Sequence, residues 1–122
     1  MGDRPLQAPE VIALSDYTRL VDPALVLAYH TQGEVIFWRY RDIEVPGAAD
    51  IAEAFGEVSG YAVEETPFAS GFAGYKDWFI EDFRRPGFTI EAGLGVNPLP
   101  IEQFGKIYED NLGILTLGAL VT

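Results

Sequence analysis

Two short apolar runs limit what this chain can fold into. Leu25–Tyr29 (LVLAY) is unbroken and follows the Asp22-Pro23 stop, and Phe88–Glu91 (FTIE) follows Arg85-Pro86-Gly87 and ends on a carboxylate. The first does not alternate apolar with polar residues, as a strand wetted on one face would. Both read as strands buried on two faces, and such strands need helices above and below their sheet.

The intervening segments supply those helices. Pro9 stands in a first helical turn, and Val11, Ile12, Leu14 and Tyr17 follow at helical spacing, so residues 9–20 read as an amphipathic helix. Glu34–Tyr40 (EVIFWRY), aromatic and β-branched, reads as a second strand. Val45-Pro46-Gly47 opens a helix with the stripe Ile51, Ala54, Phe55 and Val58, and Gly60 ends it. Tyr61–Glu65 is a short strand. Thr66–Gly74 (TPFASGFAG) is a loop of glycines, small residues and phenylalanines, and Tyr75–Arg84 is a short helix. Gly93, Gly95, Asn97 and Pro98 make a turn-rich loop. Pro100–Leu117 is a long final helix, expected to bury Phe104, Ile107, Tyr108, Leu112 and Leu115. The expectation is one α/β domain over residues 1–122, with no internal repeat.

Composition narrows the function. A net charge of −11 argues against nucleic acid, because such a surface cannot neutralise phosphates. No apolar run approaches the ~18 residues of a membrane span, and the polar start MGDRPLQAPE has no signal-peptide core, so a cytoplasmic location is expected. With no cysteine there is no disulfide, thiolate metal site or thiol nucleophile.

The sole histidine, His30, directly follows a buried strand, and Glu91 ends another. In open α/β sheets, functional groups collect beyond the carboxyl ends of strands. His30 is either a histidine bonded to loop backbone or a metal ligand or base. Glu91 is either a carboxylate held by a helix N-terminus or an arginine, or a general base.

Longer segments carry more. LVLAYHTQGEVIFW (Leu25–Trp38) resembles the strand-His-loop-strand that bears the last zinc ligand of the zinc carboxypeptidases. AGYKDWFIEDFRRPGFTIEAG (Ala73–Gly93) resembles their substrate-pocket helix and the strand with the catalytic glutamate. PLQAPEVIAL (Pro5–Leu14) and NPLPIEQFGKIYEDNLGIL (Asn97–Leu115) resemble flanking helices of that family. The resemblance covers about residues 5–118 and is nearest to the bacterial branch that cuts γ-D-glutamyl–diaminopimelate bonds.

The resemblance implies the C-terminal half of a three-layer, mixed-sheet catalytic domain, with about four strands and flanking helices. His30 matches the third zinc ligand. Glu91 matches the residue that activates the attacking water and shuttles its proton. Lys76 and Asp77 match pocket positions; Lys76 is either an exposed helix lysine or one that attracts an acidic substrate group. The family's mobile-loop tyrosine has no counterpart; Phe68 and Phe72 stand in that loop, with Phe72 expected against substrate. Ala92 replaces a leucine. The family's first two zinc ligands, in a His-x-x-Glu segment, and its substrate-binding arginines do not match any residues here. A family-type zinc site therefore cannot form within these residues, since catalytic zinc takes about three protein ligands. The resemblance implies zinc in the completed enzyme but none held by this chain alone, and a peptide or cell-wall peptide substrate. It also leaves three states open: an inactive enzyme part awaiting its N-terminal half, a non-catalytic binding or assembly module, or a homo-oligomer with a shared metal site. Without upstream strands, Phe88–Glu91 is expected to form a bare sheet edge, giving a homodimer or an aggregation-prone monomer.

Overall fold

The computed structural model describes residues 4–67 and 74–122. Helix α1 (Pro9–Val21) starts on its proline and stops at Asp22, which turns left-handed and returns its N–H to the Thr18 carbonyl. Strand β1 (Val26–His30) follows, then β2 (Val35–Phe37), helix α2 (Ala48–Ser59) and β3 (Ala62–Glu64). Helix α3 (Tyr75–Phe83) leads into β4 (Gly87–Glu91), and a 3-10 turn (Ile101–Gln103) opens helix α4 (Phe104–Leu120).

The four strands lie in the order β1-β4-β2-β3. β1 and β4 run parallel, as do β2 and β3, while β2 and β4 run antiparallel. The sheet is therefore mixed. Its two faces follow from the alternation along β4. Phe88 and Ile90 point to α2 and α4 and pack with Ile36, Ala52, Phe55, Tyr61, Ala92 and Ile114. Phe55 of α2 meets Phe88 edge-on, with ring centroids 5.0 Å apart. Gly87 points the other way: a Cβ there would meet Ile80 and Lys76 of α3 at 3.3 Å. α1 lies beside α3, joined by Thr18 Oγ1 to Tyr75 Oη at 2.9 Å and by Arg19 to Asp82. The result is three layers, as expected.

Two expectations are corrected. β4 is not an edge; it lies between β1 and β2, and burial of Phe88 and Ile90 to 0% exposure follows from having a neighbour on each side. Among the described residues the edges are β1 and β3, so the unpaired backbone that invites another strand belongs to those two strands. The buried side of α4 is also rotated from the expected one. Phe104 is 64% exposed, Tyr108 54%, Leu112 43% and Leu115 50%. Of the expected residues Ile107 does pack against the core, and the inward face continues through Asn111, Ile114, Leu117 and Gly118. Close approach explains this. A Cβ at Gly113 would lie 2.9 Å from Val58 Cβ, and one at Gly118 would touch Phe55 and Leu27. Helices packed that closely leave no room for bulky side chains, which turn outward. α1 behaves similarly: Ser15 and Thr18 are buried while Leu14, Tyr17 and Leu20 are exposed.

Asn111 closes this core with polar chemistry. Its amide donates to Tyr61 Oη at 3.0 Å and to the Ile107 carbonyl at 2.8 Å. Burial raises the Tyr61 phenol above its ordinary 10.0, and the Asn111 bond opposes that rise. The folded state therefore keeps this proton at a pH where the unfolded chain has lost it. The contribution is complete below pH 10 and falls away as pH climbs through the raised folded value. Tyr61→Phe is expected to flatten the alkaline limb of a stability–pH curve measured by urea unfolding. Parallel limbs for the two proteins would contradict this.

Candidate active site

His30 is the last residue of β1 and Glu91 the last of β4, and the parallel register pairs them directly. Parallel strands put both at one end of the sheet, about 4.8 Å apart across the ladder. Paired residues project to the same face. Glu91 shares its row with Gly87, which faces α3, so His30 and Glu91 both lie on the α1/α3 side. The ladder continues one step further, with the Ala92 N–H donating to the His30 carbonyl at 2.9 Å. His30 is exposed and Glu91 half-buried, so the pair opens to solvent at the rim.

The loops beyond the strands meet each other. The Gly33 N–H donates to the Gly93 carbonyl at 2.7 Å. Gly33 and Gly93 both have positive φ (138° and 76°), a region costly for residues with a Cβ. At Gly93 a Cβ would also lie 2.5 Å from Leu99 Cδ1. The Thr31–Gln32 and Asn97–Pro98 peptides are cis.

Lys76 and Asp77 form a buried pair, 2% and 4% exposed. The Lys76 ammonium donates to Asp77 Oδ1 at 2.5 Å, to the Arg39 carbonyl at 2.8 Å and to Thr66 Oγ1 at 2.9 Å. Three partners satisfy its three donors. Burial pulls its pKa below the ordinary value, and Asp77 pulls it back up. Asp77 sits in the first turn of α3, where a carboxylate is favoured by the helix dipole. Lys76 packs over Gly87, at the opposite end of β4 from Glu91. Four residues of strand separate the two ends, roughly 13 Å. The sheet thus brings His30 and Glu91 together and sets Lys76 and Asp77 apart from them. Phe72 lies outside the described residues, as does Phe68.

Sequence reasoning read Asn97 only as a turn residue and passed over Gln103, yet both bind the site's loops. Thr31 Oγ1 donates to Asn97 Oδ1 at 2.8 Å, and Asn97 Nδ2 donates to the Thr31 carbonyl at 3.0 Å. Gln103 accepts from the Leu94 N–H at 3.1 Å and donates to the Leu94 carbonyl at 2.7 Å. The available signal was an amide side chain inside a Gly/Pro-rich loop, where such residues bond backbone.

The donors among the described residues do not complete a zinc site. Catalytic zinc takes about three protein ligands. Among the described residues no group of three or more His, Asp or Glu is placed to hold a metal ion. The described pair offers one imidazole with a carboxylate beside it.

The fold is that of the carboxypeptidases. Carboxypeptidase A from Helicoverpa armigera superimposes with a TM-score of 0.72 at 18% identity, over 98% of this chain and 35% of that one. Murein-tripeptide amidase MpaA from Escherichia coli O157 gives a TM-score of 0.61 at 18% identity, over 97% of this chain and 43% of that one.

In sequence, the chain is 52% identical over 117 residues to gamma-D-glutamyl-L-diamino acid endopeptidase 1 of Lysinibacillus sphaericus, covering 96% of this chain. It is 40% identical over 114 residues to the uncharacterized protein YqgT of Bacillus subtilis, covering 93% of this chain. No protein-family model matches. The chain spans 29% and 30% of the length of these two curated relatives. It is thus a partial carboxypeptidase-like unit, related in sequence to a γ-D-glutamyl-diamino acid endopeptidase. No described helix is long and apolar enough to cross a membrane.

Proposed function

We propose that this chain is the C-terminal part of a zinc metallopeptidase catalytic domain that cleaves peptide or cell-wall peptide bonds of the γ-D-glutamyl–diamino acid type. The carrying observation is the direct pairing of His30 with Glu91 at one end of the sheet. The 52% identity to an endopeptidase of that name supports the substrate class. In this reading His30 supplies one zinc ligand, and the remaining ligands come from polypeptide outside these residues. A zinc ion held there would supply Lewis acidity to the scissile carbonyl and to the attacking water. Glu91 takes that water's proton and passes it to the leaving amine. Lys76, held by Asp77, anchors Thr66, and in this reading the pair shapes the substrate pocket from there. The chain alone is inactive.

The test is a chimera in which this chain replaces its 117-residue counterpart in the L. sphaericus endopeptidase. Hydrolysis of a γ-D-glutamyl–diaminopimelate peptide by the chimera, and none by the chain alone, is expected. A folded, zinc-loaded chimera without hydrolysis would overturn the proposal.

A second reading, an assembly module without catalysis, is favoured by the free edge of β1. Leu14, Tyr17, Val21, Pro23 and Val26 line a groove of about 230 Å³ beside it. Either the missing half or a second copy would cover that edge. We expect the isolated chain to form a homodimer in light scattering at high concentration; a monomer there would count against edge pairing.

A further inference from the structure

The loop after β4 braces the site from outside it. It leaves Glu91, turns at Gly93, reaches across to the segment after β1, and returns to α4. Asn97 grips Thr31, the residue after His30, through both halves of its amide: one bond accepted from the hydroxyl, one donated to the carbonyl. Gln103 grips Leu94, three residues after Glu91, in the same reciprocal way. Between these grips the Gly33 N–H meets the Gly93 carbonyl. Lys106 of α4 also reaches Glu34, at 3.1 Å.

An imidazole at an exposed strand end has no core to hold its backbone. Among the described residues β1 is an edge, so His30 has a described ladder partner on one side only. The residue that follows it is exposed and would fray. The Asn97 amide gives that residue two bonds it otherwise lacks, and it does so from the loop that starts at Glu91. Its oxygen and nitrogen each face a partner of the right sense, which fixes the orientation of the amide.

We propose that Asn97 is a positioning residue, whose reciprocal bonds to Thr31 hold the His30 end of β1 in register with Glu91. This rests on the reading of His30 and Glu91 as one hydrolytic centre, but its test needs no activity.

The test is amide hydrogen exchange by NMR on the full 122-residue chain, comparing wild type with Asn97→Ala and Asn97→Asp. The reporters are Ala92, which donates to His30, and Gly33, which donates to Gly93. Asn97→Ala is expected to speed exchange at both by about tenfold or more, with Ile36 and Ile90 in the core unchanged. Asn97→Asp keeps the acceptor for the Thr31 hydroxyl and loses the donor, so an intermediate effect is expected. Unchanged exchange at both reporters would overturn the proposal. So would a uniform rise that includes Ile36 and Ile90, since that marks loss of general stability. Should Asn97→Ala not fold, Asn97→Asp and Thr31→Ala are read by the same criteria, and failure of all three to fold would overturn the proposal. Loss of activity in the chimera, with exchange as expected, would sink the proposed function and leave the brace standing.

Discussion

Lys76→Ala will lower the stability of the chain by about 3–5 kcal/mol, the range for removing one member of a buried ion pair. The loss has little to do with the strength of the pair itself. Lys76 and Asp77 are 2% and 4% exposed, so the truncation strands a carboxylate away from water. It also releases the Arg39 carbonyl and the Thr66 hydroxyl, which the ammonium ties together. Urea unfolding followed by the fluorescence of Trp38 and Trp78 measures the loss. Replacing both residues by apolar ones of similar volume is expected to cost less than Lys76→Ala alone. A Lys76→Ala protein within 1 kcal/mol of wild type would mean that water reaches Asp77 after all.

Glu91→Gln, made in the chimera, will reduce turnover by about 10²- to 10⁴-fold, the ordinary worth of a general base. The amide keeps the shape and packing of the carboxylate but cannot take a proton from water. Zinc content should be unchanged, because Glu91 is not a ligand in this account. His30→Ala should behave differently, losing both zinc and turnover. Equal zinc loss in the two variants would make Glu91 a ligand and require another base.

Much of this was legible along the chain, because the informative patterns are local. The unbroken LVLAY run, the proline at the start of α1 and the glycine after α2 mark elements through the conformations they allow. The positions of His30 and Glu91 at strand ends were likewise visible, since each strand's last residue is a matter of sequence. The sheet order was not. β4 pairs with a strand at the far end of the chain, and nothing within Phe88–Glu91 says which neighbours it has.

The inward faces of α1 and α4 also escaped a reading based on bulk. Leu112 and Leu115 look like core residues, yet Asn111, Ile114 and Gly118 face inward. The readable sign was the glycines within α4, which carry a helix-propensity cost that close packing against Val58 and Phe55 offsets. Lys76 misled in another way. A lysine on a short helix reads as a solvent-facing charge or a substrate anchor, and only the tertiary structure brings Arg39 and Thr66 to its ammonium. Asn97 needed the same non-local information, because its partner Thr31 lies in a different loop.

The account stands on His30 and Glu91 serving one centre. A zinc anomalous-difference map of the crystalline chimera tests this most directly. The predicted result is a zinc peak bonded to the His30 imidazole, with the Glu91 carboxylate beside it and unbonded. A zinc ion held without His30, or a Glu91 carboxylate turned away from it, would contradict the account.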